Sequence, residues 1–161
     1  MGYTTDFTGQ ISIDPPLNEK EIEYINQFNE TRRMRRTNGP YFVGGGGMFG
    51  QDHDSDIQDY NRPPEGQPGL WCKWMATEDG KFIEWDGAEK FYDAAEWMQY
   101  IIDHFLGKNP IAKQVNSHFD FLEGHTLNGE ILAEGEEQGD IWKIFVNNNA
   151  VTTKEATISW E

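Results

Sequence analysis

Apolar and polar positions alternate strictly along "YTTDFTGQISI": Phe7, Ile11 and Ile13 fall on one side, and Thr4, Asp6, Thr8, Gln10 and Ser12 on the other. A period of two is the signature of a half-buried β-strand. Asp14-Pro15-Pro16 ends it, and Asn18 with Glu21 has the N-x-x-E form of a helix-capping pair. Ile22, Ile25 and Phe28 then recur at helical spacing, which predicts a helix from about Glu19 to Met34. "TNGP" breaks it, and a stretch rich in Gly, Pro and Asp runs from about 37 to 69, far longer than an ordinary connection. "LWCKWM" and "KFIEW" flank Asp79-Gly80 and read as a hairpin, the glycine supplying the positive φ of the turn.

From Ala88 to Leu106 the apolar positions Phe91, Ala94, Ala95, Met98, Ile101, Ile102 and Phe105 trace one helical face, closed by Gly107 and Pro110. An irregular stretch from Lys108 to His125 precedes three strand-like runs, "LNGEILAEG", "DIWKIFV" and "AVTTKEATISW". Strand, helix, hairpin, helix, strands is the order of an α+β fold. The expected architecture is a two-layer sandwich, a mainly antiparallel sheet of five or six strands with two helices on one face, in an order related to the ferredoxin-like pattern. Residues 1–161 form a single domain in this reading.

Charge narrows the partners. A net charge of −15 opposes direct binding to nucleic-acid backbones and anionic membranes, and favours a protein partner with a basic surface. No apolar run is long enough to span a bilayer and the opening "MGYTTDFTGQ" has no basic region followed by an apolar stretch, so a cytoplasmic protein is expected. The single cysteine, Cys72, lies among aromatics as a packed thiol and fits a reducing compartment. Acidic residues concentrate after Gln114, and Glu130, Glu134, Glu136, Glu137 and Asp140 are the candidate contacts for a basic partner. Four of the five arginines sit in "RRMRR", where cations complement the C-terminal end of a helix dipole or serve as guanidinium forks for an anion.

Specific chemistry is sparse. Gly44 to Gly47 in "VGGGGMFGQDHDSD" lead into no helix and no Gly-Lys-Ser/Thr, so a phosphate cradle is disfavoured against plain backbone freedom. Asp52, Asp54 and Asp56 alternate as at the start of a calcium loop, but Ile57 stands where glycine is required and Pro63 where the bidentate Glu belongs. A Ca²⁺ or Mg²⁺ site there is the minor reading, a solvated acidic loop the main one, and no cofactor is expected. His118, Asp120, Glu123 and His125 carry metal-ligating atoms without a recognised spacing. "DYNRPPEGQPGLWCKW" is stiffened by its prolines, and Tyr60, Asn61, Arg62, Gln67, Trp71 and Trp74 are the candidate lining of a small-molecule or nucleotide-derived ligand pocket.

"YFVGGGGMFGQD", "DYNRPPEGQPGLWCKW" and "EDGKFIEWDGAEKFYDAAEW", with the later "LNGEI", resemble an uncharacterised protein family of bacteriophages and actinobacteria. The resemblance spans most of the chain, least between Lys108 and His125, and implies a small protein of unknown function with no catalytic residue to transfer. Two functions are therefore expected from different classes. The first is non-enzymatic binding of a cellular or host protein through the acidic set, and the alternative is ligand binding, with or without hydrolysis, at the 41–74 loop.

Overall fold

The computed structural model describes residues 2–156. The strands are β1 (Thr5–Asp14), β2 (Arg35–Arg36), β3 (Ile57–Asp59), β4 (Trp74–Ala76), β5 (Phe82–Trp85), β6 (Thr126–Gly135), β7 (Ile141–Asn147) and β8 (Ala150–Glu155). The helices are α1 (Glu19–Glu30), α2 (Ala94–Ile101), extended by a π-helical turn over Ile102–Leu106, and the short α3 (Ile111–Val115). Six strands form one antiparallel sheet in the order β4-β5-β1-β6-β7-β8, and β2 pairs with β3 apart from it. β6, β1, β5 and β4 lie side by side as the fourth, first, third and second main strands, with α1 and α2 as their two connections. That is the split-βαβ order expected for a ferredoxin-like α+β sandwich, here widened by β7 and β8.

Alternation decides which face is covered. Phe7, Ile11 and Ile13 of β1 register with Ala133, Gly129 and Leu127 of β6, so their buried side chains share one face. Ile83, Trp74, Ile131, Ile144 and Val146 continue it, and Ile25, Phe28, Trp97, Met98, Ile101 and Phe105 meet it from α1, α2 and the π turn. Thr8, Gln10, Ser12 and Glu130 line the opposite face, which remains open to solvent. α1 also seals one sheet edge. Asn26 accepts from the Ala76 amide at 2.9 Å and donates to the Ala76 carbonyl at 3.3 Å, and Asn29 donates to the Trp74 carbonyl at 3.1 Å. Side-chain amides thus stand where another strand would pair.

Several boundaries move. α1 stops at Glu30 rather than Met34, because the chain turns extended at Thr31. The first hairpin strand starts at Trp74, leaving Leu70 to Lys73 outside the sheet. α2 starts at Ala94 because Lys90 and Asp93 both take positive φ, yet Phe91 still packs on Phe7 and Trp74 from the preceding loop. The 108–125 stretch holds α3 and a single 3-10 turn, Ser117–Phe119. The last expected strand ends at Glu155, and residues 157–160 of the expected run lie outside the described residues. Gly80 takes the positive φ (72°) expected of the hairpin turn.

Candidate functional site

The 37–69 excursion is organised by the arginine run. α1 has no basic residue in its last turn, so the helix-dipole role is not the one these arginines play. Arg36, with its side chain 1% exposed, points its guanidinium at Asp56 (3.0 Å), Asp54 (3.4 Å) and the Gly50 carbonyl (2.7 Å), and lies over the Phe42 ring. The Gly46 amide donates to Asp54 at 3.0 Å; this bond first, and then Arg36, holds the Asp54 carboxyl below its ordinary range despite some desolvation. Gly44, Gly45 and Gly47 all take positive φ, which lets the backbone fold back over these carboxylates. The glycine run with its aspartates is therefore a loop closed on an internal cation. What Asp54 and Asp56 bind here is a guanidinium, and Asp52 stands exposed beside them.

Arg33 is the more unusual cation. It is buried over the Phe28 ring at 4.1 Å, donates through Nη2 to the Phe42 carbonyl, and has no carboxylate partner among the described residues. Burial lowers its pKa to about 10. Gln67, also buried, donates to the Tyr100 hydroxyl (3.0 Å) and the Pro40 carbonyl (2.6 Å). Tyr41 meets His104 Nδ1 at 2.7 Å, and His104 stacks on Tyr100 with ring centroids 3.9 Å apart. A polar seam thus fastens the excursion to the helices.

The six residues expected to line one pocket are dispersed. Trp74 is wholly buried and donates its indole N–H to the Ala94 carbonyl at 2.8 Å, so it belongs to the core. Gln67 is committed to the seam just described. Asn61 is exposed, and Arg62, 73% exposed, pairs loosely with Asp59 at 3.5 Å. Tyr60 and Trp71 do share a neighbour, Arg32, whose guanidinium lies 5.0 Å and 6.0 Å from their ring centroids. Phe49 stands edge-on to Trp71 at 5.4 Å. Phe49 is 47% exposed and Met48 77%, and Phe49 holds φ 57°, a left-handed conformation that non-glycine residues seldom adopt. Beside Phe49 a hollow of about 400 Å³ is walled largely by glycine backbone, and Glu30 adds a carboxylate to it.

The acidic set divides as well. Asp140 accepts from the Tyr3 hydroxyl at 2.6 Å and Glu136 from the Thr4 amide at 2.6 Å, so both anchor the segment before β1. Glu137 joins them through its backbone amide, which donates to Tyr3 Oη at 3.1 Å. Glu130 and Glu134 lie on the open sheet face, Glu130 paired diagonally with Lys143 at 3.4 Å. His125 is not a surface ligand: it is fully buried, with Nδ1 2.6 Å from the Pro15 carbonyl and Nε2 2.8 Å from Glu21. Among the described residues no group of three or more His, Cys, Asp or Glu is arranged to hold a metal ion, and no helix is long and apolar enough to cross a membrane.

Cys72 is buried, and desolvation pushes its thiol up to about 12. It should therefore resist Ellman's reagent in the native protein and react at once in denaturant. Rapid native labelling would show that Leu70 to Trp74 is not held as described. Comparison with known proteins finds no match among family models, curated proteins or solved structures.

Proposed function

We propose that this chain is a binding protein, not an enzyme, and that the tip of the excursion docks a basic, partly apolar segment of another protein. The observation that carries this reading is the presentation of Met48 and Phe49, both exposed, on a loop that Arg36 holds closed. A large apolar pair on an ordered loop costs solvation, and the left-handed backbone at Phe49 adds roughly 1–2 kcal/mol of strain. Trp71, Tyr60 and Arg32 surround it, and Met, Trp, Tyr, Phe and Arg are the residue types concentrated at the centres of protein interfaces.

Charge selects the partner. The hollow beside Phe49 offers backbone carbonyls and Glu30, a receptacle for a Lys or Arg side chain. A net charge of −15 draws cationic surfaces in from a distance, and Glu130 and Glu134 on the open sheet add to that field rather than to the contact. The titratable groups with the strongest buried partners, Glu21 and His125, face each other and backbone rather than a cleft, which favours binding over catalysis.

An array of peptides combining Lys or Arg with Leu or Phe supplies the test. Peptides with two basic residues and one apolar residue should retain the protein, and Met48→Ser with Phe49→Ser should weaken retention about tenfold or more. Tyr92→Ala, at an exposed aromatic elsewhere on the surface, should leave retention unchanged. Undiminished retention of the double variant, or selection of acidic peptides, would discard the reading.

A further inference from the structure

Next to the hollow beside Phe49 lies a larger cleft, of about 610 Å³, inside the range of about 300–1,000 Å³ typical of small-molecule sites. Three segments far apart in sequence build it: α1, the 38–43 part of the excursion, and the 116–121 turn. Its floor and walls are aromatic, from Tyr24, Tyr41, Phe42, Phe119 and Phe121. Most of these rings meet steeply. Tyr24 and Phe119 cross at 87°, Tyr41 and Phe119 at 78°, and Tyr24 and Phe121 at 58°, while Phe119 and Phe121 are tilted by 36°. Such walls give single ring faces and edges, with no parallel pair between which a flat base would slide.

The rim is polar and electrically balanced. Lys20 and Glu23 stand three residues apart on α1 and offset each other. With Lys20 and Glu23 of opposite sign side by side, the rim offers neither a cation nor an anion an uncompensated partner. Three amides complete the rim. Asn38 donates its N–H to Asp56 at 2.8 Å and keeps its carbonyl oxygen as an acceptor. Asn116 takes the His118 amide on its carbonyl at 2.9 Å and keeps its NH₂ as a donor. Gln27 keeps both, and the His118 ring adds another polar edge.

We infer that this cleft binds a neutral saccharide. A pyranose ring has an apolar C–H face that lies on an aromatic wall, and a belt of hydroxyls that both donate and accept. The mixed amide donors and acceptors of this rim meet that requirement, and they leave no net charge for an ionic ligand to use. The cleft adjoins the hollow beside Phe49, with which it shares Gln27, but Met48 and Phe49 do not line it, so sugar titration and the peptide array read the two proposals separately.

Cellobiose, maltose and N,N′-diacetylchitobiose, titrated into the ¹⁵N-labelled full chain and followed by amide chemical shifts, decide it. At least one disaccharide should shift amides of residues 20–27, 38–43 and 116–121 together and saturate in the millimolar range. Gln27→Ala removes an exposed side chain whose loss leaves the core intact, and it should weaken that binding about five-fold, one net hydrogen bond. The absence of saturable shifts with all three sugars would overturn the proposal. So would the same amides responding to AMP or choline instead, or sugar binding that Gln27→Ala leaves unchanged.

Discussion

Ile101→Asp is expected to leave most of the protein unfolded at neutral pH. Ile101 lies on α2 in the cluster that joins the helices to the sheet, and it is 1% exposed. The cluster around it is hydrophobic, so the new carboxylate is either buried among apolar groups or must drag α2 off the sheet. The cost is several kcal/mol, against a typical total stability of about 5–15 kcal/mol. Circular dichroism should show loss of the helical signal and of any cooperative melt. Ile101→Val separates charge from volume: it should cost only about 0.5–1.5 kcal/mol and keep the melt cooperative. A folded, cooperative Ile101→Asp protein would mean that this helix face does not pack on Phe7, Ile11 and Ile13.

The sandwich could be read in advance because its information is local. Alternation in β1, the capping pair Asn18 and Glu21, and the apolar stripe from Ala94 to Phe105 each lie within one element, and the fold agrees with them. The excursion was not legible in the same way, because its order rests on contacts between residues far apart in sequence. Arg36 reaches Asp54 and Asp56 eighteen and twenty residues on, so a stretch with loop composition is held by a buried cation. The same applies to the candidate site. Trp71 and Trp74 stand three residues apart, but the sheet begins only at Trp74, which sends one ring to the core and leaves the other beside Arg32. The aromatic cleft draws on Asn38, Gln27 and Asn116 from three segments, and no spacing along the chain announces that convergence. One signal was present: Phe119 and Phe121 flank Asp120 in a stretch whose sequence reads as irregular, and apolar rings in such a stretch need something to pack against.

Glu21→Gln should reverse the sign of the stability change between about pH 6 and pH 8. Glu21 and His125 are fully buried and joined at 2.8 Å; His125 donates its other N–H to the Pro15 carbonyl, and Glu21 also accepts from the Asn18 and Glu123 amides. The pair ties the end of β1, the start of α1 and the entry to β6. Burial alone would push the Glu21 carboxyl up, but the bond from His125 and the two backbone amides outweigh it and leave it below its ordinary value. Burial alone would push the His125 imidazolium down, but its bond to and attraction by Glu21 outweigh that and leave it above its ordinary value. The depressed carboxyl contributes stability that is present above its unfolded pKa of about 4.3 and is lost as pH falls through the folded value. The raised imidazole contributes stability that is present below its unfolded pKa of about 6.5 and is lost as pH rises through the folded value. Both contributions are complete only between about pH 4.5 and 6.5, so in this pair's contribution the melting temperature should peak there and decline toward pH 8. In the Glu21→Gln variant the attraction is gone, desolvation governs His125, and stability should instead rise with pH over the same interval. His104, lowered by burial, titrates with that rising sign in both proteins and cancels in the comparison. At its optimum the native pair should exceed Glu21→Ala by about 3–5 kcal/mol, since the alanine strands a buried imidazolium. Parallel pH profiles for the native protein and Glu21→Gln would mean that His125 is neutral in the fold and that the pair is an ordinary hydrogen bond rather than a buried ion pair.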